Sequence, residues 1–272
     1  MNNTIQVTIA IDDNHLREEV IAQLTTLQFD AFEEKEHQLE AFIKEEKFDS
    51  KALSEILLPY NLTGNSIIIE EQNWNALWES NFQPVVVDSF CAIRADFHPP
   101  FTNVAHEIII TPKMSFGTGH HATTYMMISQ MQNIDFRHKQ VADFGTGTGI
   151  LAILAEQLGS ERVWAIDYDY WSIENSKENI SRNCCKKVVI ENKDRFLTDQ
   201  KFDIILANIN KHVILNNVQG IFCSLNKKGK LVISGLLKDD RDDIISAFSS
   251  RGLQYISTAD RNNWICLLFE NN

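Results

Sequence analysis

The segment Gln140-Val-Ala-Asp-Phe-Gly-Thr-Gly-Thr-Gly-Ile150 constrains this chain more tightly than any other stretch. Val141 and Ala142 read as the end of a buried strand, and Ile150 to Leu158 as the apolar helix that follows. Between them Gly145, Gly147 and Gly149 alternate with threonine. Glycine in quantity at a helix start costs backbone entropy, so three of them mark a backbone that must come close to another group. A strand, a glycine turn and a helix start together make a nucleotide-cofactor loop.

Two cofactor classes use such a turn. The dinucleotide fingerprint G-x-G-x-x-G, or its final-alanine form, rests a pyrophosphate on the helix N-terminus. Counted from Gly145 the third position is Ile150, and that register fails; counted from Gly147 it is Ala152, which is tolerable. The glycines alone therefore leave a nicotinamide-dependent oxidoreductase open. Asp143, two residues before the first glycine, tips the reading toward D-x-G-x-G-x-G, the form seen in S-adenosylmethionine-dependent methyltransferases.

Composition narrows the class further. With 272 residues, 44% apolar and 23% charged, there is room for one large domain and a small one. No apolar run approaches the roughly 18 residues that span a bilayer, and the first residues do not form a signal peptide, so a cytoplasmic location without membrane contact is expected. Five cysteines, Cys91, Cys184, Cys185, Cys223 and Cys266, form no C-x-x-C pair and read as reduced, mostly buried thiols. The eight histidines show no H-x-x-x-H spacing, and no metal site is expected. Of the formal net charge of −12, residues 1–72 carry −10, with fifteen acids against five bases. Such a front surface repels nucleic acid and attracts a basic partner, although acids also serve simply to keep a small domain soluble.

Along the chain, Thr4 to Ile11 alternates as a half-buried strand, Asp12, Asp13 and Asn14 offer N-caps for a helix through Leu27, and two glutamate-rich strands cover Phe29 to His37 and Leu39 to Lys44. Asp49 or Ser50 can cap a helix from Ala52 to Pro59, and Ser66 to Glu70 is a fourth strand. The order βαββαβ is that of a ferredoxin-like α+β module over residues 1–70. Lacking a glycine loop or catalytic cluster, it is suited to recognition. Trp74, Trp78 and Phe82 recur at i+4 on one face of a helical linker, residues 71–84, which Pro84 ends.

In residues 85–272, strands Phe90 to Ala95 and Glu107 to Thr111 precede a second glycine stretch, Phe116 to Thr124, that opens a methionine-bearing helix. Its N-terminus suits a carboxylate, and Phe116 is placed to lie against a cation. Arg162 to Ile166 is a buried strand ending at Asp167, an acid positioned to hold a ribose diol, with Asp169 as its rival. The strand Phe202 to Asn208 ends on an amide that would project into the same crevice. Helices His212 to Leu225 and Lys238 to Phe248 and strands Lys230 to Ser234, Leu253 to Thr258 and Trp264 to Phe269 complete an α/β pattern with a mostly parallel sheet.

Six segments carry a resemblance: N-W-x-x-x-W-x-x-x-F-x-P (73–84), P-x-M-x-F-G-T-G-H-H-x-T-T (112–124), D-F-G-T-G-T-G-I-L-A-I (143–153), A-I-D-Y-D (165–169), F-D-I-I-L-A-N-I (202–209) and I-S-G-L-L (233–237). In these the chain resembles the bacterial ribosomal protein L-eleven methyltransferase family (PrmA) over nearly its full length. The resemblance implies a class I, Rossmann-like methyltransferase fold with a seven-stranded, mostly parallel sheet, behind a substrate-recognition domain. It implies S-adenosylmethionine as cofactor, contacted by Thr124, Gly145, Asp167 and Asn208; to these the residues themselves add Gly147 of the same turn, Phe116 on proximity, and a catalytic role for Asn208, whose amide oxygen can accept from the attacking amine. The implied reaction is N-methylation of lysine side-chain or N-terminal amines of a basic ribosomal protein docked on the acidic front module by a monomeric enzyme. The A-N-I context differs from the N-P-P-Y of glutamine-modifying relatives.

Overall fold

The computed structural model describes residues 3–69, 82–112 and 121–272. They divide into two compact units, residues 1–82 and 83–272.

The first unit runs β1 (Thr4–Ala10), α1 (Asn14–Thr26), β2 (Ala31–Lys35), β3 (Gln38–Lys44), α2 (Ser50–Leu57) and β4 (Gly64–Ile69). The sheet order is β2-β3-β1-β4, and every pair is antiparallel, the ferredoxin-like arrangement. Alternation in β1 does what period-two patterning requires: Ile5, Val7 and Ile9 are buried while Thr4, Gln6 and Thr8 are not. Among the candidate caps, Asp13 accepts from the Leu16 N–H and Asp49 from the Lys51 and Ala52 N–H groups, which settles both helix starts. The glutamates of β2 face outward and leave the core to Val20, Leu24, Leu39, Ala41, Leu53 and Leu57.

The second unit opens with a small sheet of β5 (Val85–Val87), β6 (Cys91–Ala95) and β7 (His106–Ile110); β5 pairs antiparallel with β6, and β6 parallel with β7. The sequence pattern identifies only the latter two strands, because three residues are too few to show a period. Helix α3 (Ala122–Met131) then leads to β8 (Gln140–Phe144), α4 (Ile150–Gln157), β9 (Arg162–Asp167), α5 (Tyr170–Arg182), β10 (Val188–Asn192), β11 (Phe202–Asn208), α6 (Lys211–Ser224), β12 (Leu225–Leu237), α7 (Arg241–Ser249), β13 (Leu253–Arg261) and β14 (Trp264–Asn271). These strands form one seven-stranded sheet in the order β10-β9-β8-β11-β12-β14-β13. The five strands from β10 to β12 are parallel, and β14 runs against both β12 and β13. Burial of almost every residue of β8, β9 and β11 is what a parallel sheet covered on both faces requires.

Two expectations are revised. The strand expected over Lys230 to Ser234 extends from Leu225 to Leu237, carried past an irregularity after Ile233. The cysteines are free but not mostly buried: Cys91 and Cys266 are, Cys185 is half-buried, and Cys184 and Cys223 are exposed. Cys184 lies just past α5 in a left-handed turn, φ 56°, and Cys223 lies on a solvent-facing position of α6.

Candidate active site at the carboxyl ends of β8, β9 and β11

From β8 the sheet grows one way through β9 and β10 and the other way through β11 and β12. A doubly wound sheet opens a crevice where its strand order reverses, beyond the carboxyl ends of the strands. The chain places there the glycine turn after β8, Asp167 at the end of β9, and Asn208 at the end of β11.

The glycine turn is left-handed at Gly145, Gly147 and Gly149, with φ of 74°, 54° and 83°. Glycine adopts this region at no steric cost. The turn folds back on β9, where the Gly145 and Thr146 N–H groups both donate to the Ile166 carbonyl at 2.8 and 3.0 Å. One residue later the Gly147 N–H donates to Asp167 Oδ2 at 2.9 Å, while Asp167 Oδ1 accepts from the Asp169 N–H at 3.0 Å. Both carboxylate oxygens are thereby aimed, and each keeps a lone pair for one more donor. The rival acid is engaged elsewhere, since Asp169 Oδ2 accepts from the Ser172 N–H and hydroxyl and caps α5.

On the other side of β8, Asn208 Nδ2 donates to Thr124 Oγ1 at 3.3 Å. Thr124 is a buried residue in the first turn of α3, the helix capped by His121. With the amide nitrogen engaged this way, Asn208 Oδ1 has no partner among the described residues. The two halves meet at Ile209: a Cβ at Gly145 would stand 2.1 Å from Ile209 Cγ2, and one at Gly235 would stand 2.4 Å from the Ile209 carbonyl oxygen. Thr124, Asn208, Gly145, Gly147 and Asp167 thus line one continuous wall. Phe116 and the Trp74–Trp78 stripe lie outside the described residues.

Beneath the turn sits Asp143, 1% exposed, accepting from the Thr146 hydroxyl at 2.7 Å. Burial pushes its pKa up to about 7; the Thr146 hydroxyl pulls it down, and the nearby Asp167 carboxylate raises it again. Its Oδ1 makes no hydrogen bond of good geometry.

Sequence reasoning overlooked several members of the site. Thr146 lies inside the glycine motif but has no separate signal. Gly235 did have one, since glycine within a strand marks close approach of another backbone, here that of Ile209. Ser176 and Asn179 of α5, which touch the glycine turn from behind, look in sequence like ordinary polar helix positions.

The family described as Ribosomal protein L11 methyltransferase (PrmA) matches residues 1–272. The Ribosomal protein L11 methyltransferase of Porphyromonas gingivalis is 37% identical over 256 residues, 91% of this chain and 88% of that protein. That of Phocaeicola vulgatus is 36% identical over 249 residues, 89% of each. Among solved structures, the ribosomal protein L11 methylase from Lactobacillus delbrueckii subsp. bulgaricus superposes with a TM-score of 0.65 at 27% identity, over 70% of this chain and 100% of that one. A seven-stranded sheet with a glycine turn at its switch point, together with a family match along its whole length, means that this chain belongs to the ribosomal protein L11 methyltransferase (PrmA) family.

Proposed function

We propose that this protein transfers methyl groups from S-adenosylmethionine to lysine side-chain or N-terminal amines of the large-subunit ribosomal protein L11. Family membership supports the reaction class, and the observation that carries the residue assignment is the pairing of Asn208 with Thr124 in the same wall as Gly147 and Asp167.

The wall suits a sulfonium-bearing nucleoside. Asp167 offers two oriented oxygens to a ribose diol, each hydroxyl donating to one of them. Gly147 has no side chain to obstruct approach, Gly145 makes room for Ile209 beside Asn208, and Thr124 stands at the root of a helix N-terminus. S-adenosylmethionine, when bound, supplies an electrophilic methyl on a cationic sulfur. The remaining work, placement and desolvation, falls to the protein.

A lysine amine with a pKa near 10.4 is protonated at neutral pH and has no lone pair to offer. Burial beside a cation disfavours the ammonium and drives its proton to solvent. The Asn208 amide oxygen, left over by the Thr124 contact, then accepts an amine N–H and points the lone pair at the methyl. The acidic front unit, in which residues 1–72 carry −10, is the docking surface for the basic substrate protein. We place the enzyme in the cytoplasm as a monomer that does not itself bind nucleic acid; no described helix is long and apolar enough to cross a membrane.

The decisive experiment incubates the protein with methyl-labelled S-adenosylmethionine and a mixture of ribosomal proteins, followed by intact-mass spectrometry. Label on L11 in whole methyl increments is expected. Label on other proteins only, or binding of NADH in place of S-adenosylmethionine, would overturn the proposal.

A further inference from the structure

Helix α5 carries an asparagine that serves both approaches to the cofactor wall. Asn179 is fully buried. Its Nδ2 donates to the Thr148 carbonyl, inside the glycine turn, at 2.8 Å. Its Oδ1 accepts from the Thr111 N–H, also at 2.8 Å, where the chain leaves β7 for the Phe116 to Thr124 stretch. One amide therefore bridges two segments 37 positions apart in sequence, and both lead to residues of the wall. Ser176, one helical turn earlier, presses on the same place: a Cβ at Gly149 would come within 3.2 Å of Ser176 Cβ. The next turn of the helix makes a useful contrast. Asn183 pairs with the Ile109 N–H and carbonyl at 2.9 and 2.7 Å and, within the helix, donates to the Asn179 carbonyl at 2.7 Å, so it holds β7 without touching the glycine turn.

We propose that Asn179 is a positioning residue of the methyl-transfer site, holding the Thr148 peptide so that Gly147 and Asp167 keep their cofactor-binding geometry. Thr148 directly follows Gly147, whose N–H aims Asp167, and its carbonyl belongs to the peptide that joins it to Gly149. Inside the turn this peptide is held at its N–H end, where Gly149 donates to the Thr146 carbonyl at 2.8 Å; Asn179 holds its carbonyl end from α5, and the flanking glycines leave it otherwise free to rotate. Without the Asn179 donor the buried Thr148 carbonyl loses that partner, and the turn gains freedom to turn it toward water at the expense of the Gly147–Asp167 bond. The effect falls first on cofactor affinity, because the Asn208 amide is held directly by Thr124 of α3 and not by the Thr148 peptide.

The inference rests on S-adenosylmethionine being the cofactor, so the test begins with calorimetric titration of the full-length wild-type protein. If the wild type does not bind, the cofactor reading itself fails; if it binds, three variants decide the role of Asn179. Asn179→Ala is expected to raise the Kd and KM for S-adenosylmethionine by about tenfold or more, while kcat at saturating cofactor changes less than about threefold. Asn183→Ala, with a comparable loss of thermal stability, is expected to leave both within about twofold. Asn179→Asp keeps the acceptor for Thr111 and can donate to Thr148 only when protonated. Its affinity should therefore climb toward that of the wild type as pH falls from 8 to 5.5, relative to the wild type at each pH. Unchanged affinity in Asn179→Ala, an equal loss in Asn183→Ala, or a flat pH response in Asn179→Asp would each overturn the assignment. Should Asn179→Ala fail to fold, the pH series of Asn179→Asp against Asn183→Ala still decides.

Discussion

Two carboxylates sit one strand apart at the glycine turn, and their surroundings assign them different work. Asp167 ends β9 with both oxygens held by backbone N–H groups, the geometry on which its proposed ribose-binding role rests. Asp167→Ala removes a charged, two-pronged contact and should weaken S-adenosylmethionine binding by roughly one to three orders of magnitude; an unchanged Kd by calorimetry would take Asp167 out of the site. Asn208→Ala should do the reverse, lowering kcat far more than cofactor affinity, which steady-state kinetics separates. Asp143 is structural, and its sign is instructive. Burial raises its pKa from 3.8 to about 7, so between those values the folded chain holds a proton that the unfolded chain has released. Its contribution to stability is complete below pH 3.8 and disappears as pH rises through 7. The amount involved is a few kcal/mol at most, at about 1.4 kcal/mol per pKa unit. Asp143→Asn retains an acceptor for Thr146 without the titration. The melting temperature of the wild type should therefore fall more between pH 6 and pH 8.5 than that of the variant, and parallel curves would refute this.

Among the elements, the turns after β8 and within β12 constrain the site most. Gly235 combines φ 83° with a Cβ position 2.4 Å from the Ile209 carbonyl oxygen, whereas Gly252 has φ 104° with nothing within 4 Å. Gly252→Ala should cost about 1 kcal/mol of conformational strain and leave activity alone. Gly235→Ala adds a backbone clash to the same strain. It should cost roughly 1–3 kcal/mol more and depress turnover, because the displaced peptide is the one next to Asn208. Denaturant melts of both variants, alongside kcat, check the ranking. Helix α5 is the third: its buried Ser176 and Asn179 relate the turn after β8 to the end of β7.

At the scale of the molecule, each unit has a core of its own, one around Ile5, Val7, Leu24 and Leu39, the other around Trp164, Ile205, Leu231 and Phe269. Deleting residues 1–70 should therefore leave S-adenosylmethionine affinity intact while abolishing transfer to the ribosomal protein. Continued transfer at the full rate would reduce the front unit to a structural role.

By itself the sequence determined what local periodicity and turn chemistry can determine. Alternation in Thr4 to Ile11, capping residues at 12–14 and at 49–50, three glycines before Ile150, and a run of apolar residues ending at Asp167 each report the backbone within a few residues. The ferredoxin-like module and the α/β domain follow from those reports taken in order. Tertiary structure alone decided that Thr124 and Asn208, 84 positions apart, share a hydrogen bond, that Gly145 and Gly235 both close on Ile209, and that Asp169 is engaged in capping α5 while Asp167 holds the glycine turn. It also decided that Asp143 is sealed from water and that Cys184 and Cys223 are not. These facts depend on which strands become neighbours in the sheet, and that order is set by the burial of a core drawn from the whole second unit, which no window of sequence contains.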